Sequence, residues 1–196
     1  MLNITILHTN DFHGKMPPLA QEIIAKEKAL SPNPVLLDAG DAVSSGNIYY
    51  RPGGEPILAK MTELGYNAMA MGNREFHFLA AGLRSKVKLA CFPVLSANLR
   101  DKAGEIGPTI SPYAIIECAG VNIAVFGLCV PMITKKMRLA SRVSPYWFED
   151  PVQAASLLVP QLRGMADVVV ALTHIGLKRD LELAGAVDGI DIIVGG

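Results

Sequence analysis

Short apolar runs alternate with segments of helical periodicity along this chain, and turn-forming or polar residues end the runs. The run at residues 2–8, for example, mixes isoleucine, leucine and threonine and is followed by Asn10 and Asp11. A short apolar run bounded in this way is typical of a buried strand, whereas apolar residues three or four positions apart indicate an amphipathic helix. The alternation therefore predicts a layered α/β fold.

The spacing of apolar residues also predicts where the elements lie. The predicted strands, which are short and rich in valine, isoleucine and leucine, cover residues 2–8, 35–37, 68–71, 93–95, 113–118, 121–128, 167–172 and 191–194. The predicted helices, which share an apolar stripe, cover residues 19–30, 55–64, 76–83, 151–165 and 178–186. Ala119 and Gly120 separate two of the strands and predict a hairpin, so the sheet is expected to be mixed. Asp150 before Pro151 predicts a capped helix start.

Composition restricts the class of protein. The chain has 196 residues, of which 51% are hydrophobic and 18% charged, and this predicts one well-packed domain over residues 1–196. Lysine plus arginine and aspartate plus glutamate both number 18. Because no net field attracts a polyanion, neither nucleic acid nor an anionic membrane is expected as a partner.

The cysteines and the start of the chain bear on its location. Cys91, Cys118 and Cys129 are odd in number and lie in apolar surroundings without metal-binding spacing, so we expect buried thiols rather than disulfides. The first predicted strand leaves no room for a signal peptide after Met1. A cytoplasmic location is therefore expected for the chain as given.

Polar residues with metal-binding side chains follow four of the predicted strands. They are Asp11 with His13, Asp41, Asn73 and His174. In an open α/β sheet the ligand site lies beyond the carboxyl ends of the strands, so these loops can converge. Carboxylate, amide and imidazole groups are ligands of divalent cations, and a carboxylate such as that of Asp41 can bridge two of them. The pattern indicates metal-assisted hydrolysis.

Each of these residues has an ordinary structural interpretation when taken alone. An aspartate after a strand is commonly a turn residue or a helix cap, and His174 alone would be a core or loop histidine. Their coincidence favours the site, because three of the four histidines, His13, His77 and His174, fall at the proposed loops. The fourth, His8, is expected to pack or support.

Residues 6–14, which read ILHTNDFHG, resemble the opening motif of the bacterial 5'-nucleotidase family within the calcineurin-like metallophosphoesterases. Later landmarks follow in the family's order: Gly40-Asp41, Gly72-Asn73, Ser96-Ala97-Asn98, Phe148-Glu149-Asp150-Pro151 and Thr173-His174-Ile175-Gly176. The resemblance implies a layered calcineurin-like sandwich of mixed β-sheets flanked by helices. It also implies that Asp11, His13 and Asp41 bind a first metal, and that Asp41, Asn73 and His174 bind a second.

The third loop departs from the family pattern. The family reads Gly-Asn-His-Glu-Phe-Asp, with the histidine and last aspartate acting as a dyad, whereas residues 72–77 here read GNREFH. Arg74 can supply a permanent positive charge but is a poor proton donor. His77, three residues on, could share a helical face with Arg74 and protonate the leaving group. Equally open is a weakened site in which Arg74 pairs with a carboxylate such as Glu75.

The end of the chain is the second departure. The family continues into Gly-Gly-His-x-His, whose histidines complete the two metals, whereas this sequence stops at Gly195-Gly196. We therefore expect a fragment that lacks one ligand for each metal. The family's separate C-terminal domain, which selects the nucleobase, is also absent from the sequence, so the substrate cannot be identified from it.

The leading hypothesis is a dinuclear phosphoesterase that hydrolyses nucleotides or related phosphomonoesters by attack of metal-bound hydroxide. The expected cofactors are two divalent ions, Mn²⁺ or Zn²⁺ first and Fe²⁺ or Co²⁺ as alternatives. A cyclic phosphodiesterase or nucleotide-sugar hydrolase is a second hypothesis, and a catalytically weakened metal-binding or interaction domain is a third. A small phosphate ester is the expected partner.

Overall fold

The structure, a computed structural model, describes residues 2–106, 109–137 and 139–196. The strands in chain order are β1 (Thr5–Thr9), β2 (Pro34–Asp38), β3 (Ala68–Ala70), β4 (Val94–Leu95), β5 (Leu99–Asp101), β6 (Tyr113–Cys118), β7 (Val121–Cys129), β8 (Tyr146–Phe148), β9 (Val168–His174) and β10 (Ile192–Gly195). The helices are α1 (Pro18–Leu30), α2 (Pro56–Leu64), α3 (Ala80–Val87), α4 (Ala140–Val143), α5 (Pro151–Arg163) and α6 (Leu177–Ala186).

Two four-stranded sheets form the framework. The first sheet has the order β1-β2-β3-β4 and is parallel throughout, with α1, α2 and α3 as its crossovers. The second sheet has the order β10-β9-β7-β6 and is mixed, because β6 and β7 form an antiparallel hairpin while β7, β9 and β10 run parallel. A further antiparallel pair joins β5 to β8.

The two sheets pack face to face. Leu37 and Ala70 of the first sheet share one apolar cluster with Val125 and Leu172 of the second. On the outer faces, α5 and α6 pack against β7 and β9, and α2 packs against β2 and β3. Since successive strand residues point to opposite faces, strands covered on both sides need almost continuous apolar runs. The sequence has these runs, and the predicted layered α/β architecture with mixed sheets is confirmed.

Two local predictions are confirmed by the backbone. Ala119 and Gly120 form the two-residue hairpin turn with φ values of 52° and 81°, as a turn matching the sheet twist requires. The Asp150 side chain accepts hydrogen bonds from the amides of Val152 and Gln153 and so caps α5.

Other expectations need correction. The helix predicted from residue 76 begins only at Ala80, because the Leu79 amide donates to His77 Nδ1 at 3.0 Å. A local side-chain bond of this kind competes with helix formation. Cys91 is exposed rather than buried. His8 also points to solvent, since β1 is a half-buried edge strand.

In the part of the chain that the structure describes, every helix is too short or too polar to cross a membrane.

Candidate metal centre

Asp11, Asp41 and His174 converge at the carboxyl ends of the strands. One ligand atom from each residue lies within 4.8 Å of the others. Asp11 and Asp41 lie on the loops after β1 and β2, which are neighbours in the first sheet, whereas His174 ends β9 of the second sheet. The candidate centre is therefore built across the interface between the two sheets.

The loops after β1 and β2 have a strained backbone at this point. Asp11, His13 and Asp41 have φ values of 57°, 50° and 57°, a left-handed conformation that costs a non-glycine residue about 1–2 kcal/mol. Hydrogen bonds between the loops hold this conformation: the Asp11 amide donates to Gly40 O and the His13 amide donates to Asp41 O, both at 3.0 Å. Strained residues that are held in this way cluster at functional sites.

The Asp41 carboxylate is the hub of the centre. It is only 4% exposed, and its Oδ1 accepts a hydrogen bond from the Arg74 amide at 2.8 Å. His174 Nε2 lies 3.6 Å from Oδ1, while His13 Nε2 and Arg74 Nε each lie 3.6 Å from Oδ2. Both oxygens thus face groups proposed from the sequence, which is the arrangement that a bridging carboxylate needs.

The orientation of His174 is set by a backbone carbonyl. Its Nδ1 lies 2.9 Å from Ala39 O, and because a carbonyl can only accept, Nδ1 carries the hydrogen. In the neutral ring Nε2 then has a free lone pair, and this lone pair faces the Asp41 carboxylate. Two acceptors that face each other are stabilised by a cation between them. The donor set therefore fits a divalent metal.

His13 and the loop that carries Asn73 lie beside the two aspartates of the centre. His13 Nε2 lies 3.2 Å from Asp11 Oδ1 and 3.6 Å from Asp41 Oδ2, although His13 is not a member of the group formed by Asp11, Asp41 and His174. Asn73 is half-buried on the loop after β3, between Gly72 and Arg74. The Arg74 amide contacts Asp41 directly, which places this loop at the edge of the centre.

Glu75 is a structural residue that the sequence analysis did not assign to the site. It is fully buried, and its carboxylate accepts hydrogen bonds from the amides of Asp41 (2.9 Å), Val43 (3.0 Å) and Gly72 (2.8 Å). Burial raises the pKa of Glu75. This carboxylate ties the loops after β2 and β3 together.

The alternative in which Arg74 pairs with a nearby carboxylate is met at Asp41 rather than at Glu75, because Arg74 Nε lies 3.6 Å from Asp41 Oδ2. Arg74 Nη1 donates to the carbonyl oxygen of Ser44 at 2.9 Å, and its Nε faces Asp41. The guanidinium is a third exposed, so it retains donors for a ligand while the backbone anchors one end. Arg74 therefore lies beside Asp41, and its role in the reaction stays a prediction.

The expectation that His77 shares a helical face with Arg74 is wrong, because α3 begins only after both residues. The His77 ring is 1% exposed, stacks on Phe78 with ring centroids 4.8 Å apart, and meets Tyr50 edge-on at 5.1 Å. It does not belong to the group formed by Asp11, Asp41 and His174. Burial lowers the pKa of His77 and so disfavours its charged form. This geometry suits a packing role.

Lys86 is the second residue that the sequence analysis missed. Its side chain is fully buried, and Nζ donates to the carbonyls of Ser45 at 3.1 Å, of Gly46 at 2.8 Å and of Arg74. Burial lowers the pKa of Lys86 to about 8. The ammonium group joins the loop that carries Arg74 to the loop after Asp41. A lysine within a short helix gives no sequence signal for this role.

Comparisons with known proteins agree with this architecture. The chain is 33% identical over 98% of its length to a snake venom 5'-nucleotidase from Gloydius brevicauda. It is 32% identical over 99% of its length to the trifunctional nucleotide phosphoesterase protein YfkN from Bacillus subtilis. Over nearly its whole length the chain is therefore similar to 5'-nucleotidases. It spans 36% and 16%, respectively, of the lengths of these two relatives.

Solved structures give the same result for the fold. The 5'-nucleotidase precursor from Thermus thermophilus has a TM-score of 0.81 with 28% identity, over 97% of this chain and 41% of that one. The calcineurin-like phosphoesterase YfkN from Bacillus subtilis has a TM-score of 0.78 with 25% identity, over 97% of this chain and 70% of that one. No model of a known protein family matches the chain. The resemblance to 5'-nucleotidases and the calcineurin-like fold, both predicted from the sequence, are confirmed.

Proposed function

We propose that this chain is the catalytic part of a metal-dependent phosphoesterase that hydrolyses nucleotides or related phosphomonoesters. The observation that carries the proposal is the convergence of Asp11, Asp41 and His174 within 4.8 Å. The names of the relatives, 5'-nucleotidase and nucleotide phosphoesterase, support the same class of reaction. The substrate is then a small phosphate ester.

The proposed cofactors are two divalent cations. Asp11, His13 and Asp41 would hold one, and Asp41, Asn73 and His174 would hold the other. Oxygen and nitrogen ligands without a thiolate suit Mn²⁺ or Zn²⁺, with Fe²⁺ or Co²⁺ as alternatives. When bound, such ions lower the pKa of a water molecule and withdraw charge from a phosphoryl oxygen.

The chain's own residues position the reacting groups. The Glu75 carboxylate fixes the backbone of Asp41 and Gly72, and the Ala39 carbonyl fixes the His174 ring. Arg74 is anchored to Ser44 O, so its remaining N–H groups can stabilise the charge that develops on the phosphoryl group. Asn73, next to Arg74, is proposed to orient the same group. We assign His77 no step in the reaction.

A second candidate function lies within the same chemistry. YfkN is named a trifunctional nucleotide phosphoesterase, so one relative of this chain has more than one function. A metal centre that binds a phosphoryl oxygen does not by itself distinguish monoesters from cyclic diesters or nucleotide sugars. These substrates belong in the same assay.

The test is metal-dependent hydrolysis by the chain. Protein stripped with EDTA is assayed with p-nitrophenyl phosphate, AMP, a 2',3'-cyclic nucleotide and a nucleotide sugar, before and after Mn²⁺ or Zn²⁺ is added. We expect turnover only with metal, and Mn²⁺ binding in calorimetry that is lost in Asp41→Asn. The exposed Asp188→Asn variant is the matched control. Metal-replete protein that hydrolyses none of the four substrates would overturn the proposal.

A further inference from the structure

The buried ammonium group of Lys86 is bonded to backbone carbonyl groups of two loops. Its three acceptors are the carbonyl oxygens of Ser45 at 3.1 Å, of Gly46 at 2.8 Å and of Arg74. A lysine ammonium has three donors, so each donor has one acceptor. Within the described part of the chain, no carboxylate forms a salt bridge with Lys86. The ammonium group therefore fixes the two loops relative to each other through their backbones.

The charge of Lys86 is retained although its burial is unfavourable. Desolvation lowers the pKa of Lys86 to about 8, and the negative charges of Glu75, Glu55 and Asp41 oppose this shift. The side chain therefore still carries its charge at pH 7. An apolar side chain of similar size would fill the same space without the desolvation cost. The charge is thus explained by the carbonyl groups that it binds rather than by packing.

The segment 44–46 connects Lys86 to the side chain of Arg74. The Ser44 carbonyl accepts the hydrogen bond from Arg74 Nη1 at 2.9 Å, and the next two carbonyls of the segment accept from Lys86. The carbonyl of Arg74 itself also accepts from Lys86. Both the backbone and the guanidinium of Arg74 are therefore held relative to the same ammonium group.

Two buried carboxylates hold the segment 44–46 at its other contacts. Glu75 accepts a hydrogen bond from the Val43 amide at 3.0 Å, one residue before the segment. Glu55 is 1% exposed and accepts hydrogen bonds from Ser45 Oγ at 2.7 Å and from Ser44 Oγ at 3.3 Å. The segment is therefore a fixed support, and Lys86 joins this support to the backbone of Arg74.

We propose that Lys86 is a positioning residue for the reaction: it holds the Arg74 guanidinium beside Asp41, where the free N–H groups of Arg74 reach the phosphoryl group. The inference rests on the proposed function. Arg74 Nε lies 3.6 Å from Asp41 Oδ2, so the guanidinium is already directed at the candidate centre. A donor stabilises developing charge only when it is fixed at the right place, and a displacement of about 1 Å is costly. Loss of Lys86 should therefore slow the reaction even though Arg74 is still present.

The first experiment is a double-mutant cycle on kcat for p-nitrophenyl phosphate with saturating Mn²⁺. Lys86→Met removes the ammonium group and keeps a side chain of similar length, and we expect kcat to fall about tenfold or more while KM changes less than about threefold. In the Arg74→Ala background the same substitution should lower kcat less than about twofold, because the guanidinium that Lys86 positions is absent. An equal fall in both backgrounds, or a fall of less than about twofold in the wild-type background, would overturn the inference.

Controls separate this positioning role from a role in the fold. Lys88→Met changes an exposed lysine at the end of α3 and should leave kcat unchanged. Circular dichroism checks each variant, and if Lys86→Met does not fold, Lys86→Gln, which keeps an amide donor, replaces it with the same expected pattern. If neither variant folds, Lys86 is needed for the fold rather than for the position of Arg74, and the inference fails.

The second experiment needs no turnover and so separates this inference from the proposed function. Binding of orthovanadate, an analogue of the phosphoryl group in the transition state, is measured by calorimetry with Mn²⁺ present. We expect Lys86→Met and Arg74→Ala each to weaken binding about tenfold, and the double variant to bind no more weakly than Arg74→Ala alone. If this pattern is found but no ester is hydrolysed, the inference is supported and the proposed function fails. If esters are hydrolysed but the two substitutions act independently, only the inference fails.

Discussion

The two sheets contribute to the candidate centre in different ways. The loops of the parallel first sheet supply Asp11 and Asp41, and these residues adopt left-handed backbone conformations. The mixed second sheet supplies His174 from the regular end of β9, and the ring is oriented by Ala39 O from the first sheet. Two carboxylates on strained backbone thus come from the first sheet, and an imidazole held by a backbone carbonyl comes from the second. The centre can form only when the two sheets are packed together.

The largest effect is expected on the side of the first sheet. Asp41→Asn keeps the shape of the side chain but removes the charge that both proposed ligand sets share. We expect kcat/KM for p-nitrophenyl phosphate to fall about 10³-fold or more with saturating Mn²⁺. Circular dichroism checks that the variant is folded. A fall of less than about tenfold would show that Asp41 is not the hub.

A smaller but clear effect is expected on the side of the second sheet. His174→Ala removes one nitrogen ligand and leaves the strained loops intact, so Mn²⁺ affinity in calorimetry should fall roughly 100-fold. His8→Ala, an exposed histidine on β1, is the control and should leave the affinity unchanged. Equal affinities for His174→Ala and wild type would mean that the first sheet binds metal alone.

Two variants in the loop between β3 and α3 compare a residue that contacts Asp41 with a residue that does not. Arg74 faces Asp41, whereas His77 is buried away from the centre. Arg74→Ala should lower kcat roughly 10- to 100-fold, with partial recovery in Arg74→Lys. His77→Ala should leave kcat within about threefold but lower the free energy of unfolding by about 1–3 kcal/mol, since the Leu79 amide loses its acceptor. A kcat for His77→Ala as low as that of Arg74→Ala would restore His77 as a proton donor.

The smallest effect on activity is expected at Asp38, at the end of β2. Burial raises the pKa of Asp38 from 3.8 to about 8, although hydrogen bonds from Thr9 and Gly40 partly oppose the shift. Between these two values the folded state binds more protons than the unfolded state, so stability falls as the pH rises from about 4 to about 8. Urea unfolding in EDTA at pH 5 and pH 8 should show this loss in wild type.

Asp38→Asn removes the titrating group and should reduce the loss of stability between pH 5 and pH 8 by about 1 kcal/mol or more. Activity should change less than about threefold. The exposed Asp188→Asn variant should keep the pH dependence of wild type. If the free energy of unfolding depends on pH in the same way in Asp38→Asn and in wild type, the pH dependence does not come from Asp38.

The sequence predicts the parts of this molecule that depend on local pattern. Alternating apolar runs predict the layers, Asp150 before Pro151 predicts a helix start, and Ala119-Gly120 predicts a hairpin. The approach of Asp11 to Asp41 could also be predicted, because the carboxyl ends of neighbouring parallel strands share one edge of a sheet. That His174 joins them from a second sheet is shown only by the tertiary fold. Whether these residues bind metal stays a prediction.

Contacts between distant segments could not be predicted. The three amides that bind Glu75 and the three carbonyls that bind Lys86 come from loops that only the tertiary fold brings together. Burial of His77 depends on Tyr50, which lies on a different loop. A single sequence contains no periodic pattern for such contacts. The helix expected over residues 76–83 also placed His77 on a helix instead of in the buried loop before α3.

The enclosure of Lys86 has a practical consequence for following the protein in solution. Amine-reactive reagents modify lysines whose nitrogen meets solvent, and this side chain has 0% exposure with its donors engaged by carbonyls. Mass-spectrometric labelling of Lys86 would therefore proceed only when the Ser45 and Arg74 loops separate. The rate at which Lys86 is labelled would therefore report how often these loops open, and this rate can be measured without any substrate or ion.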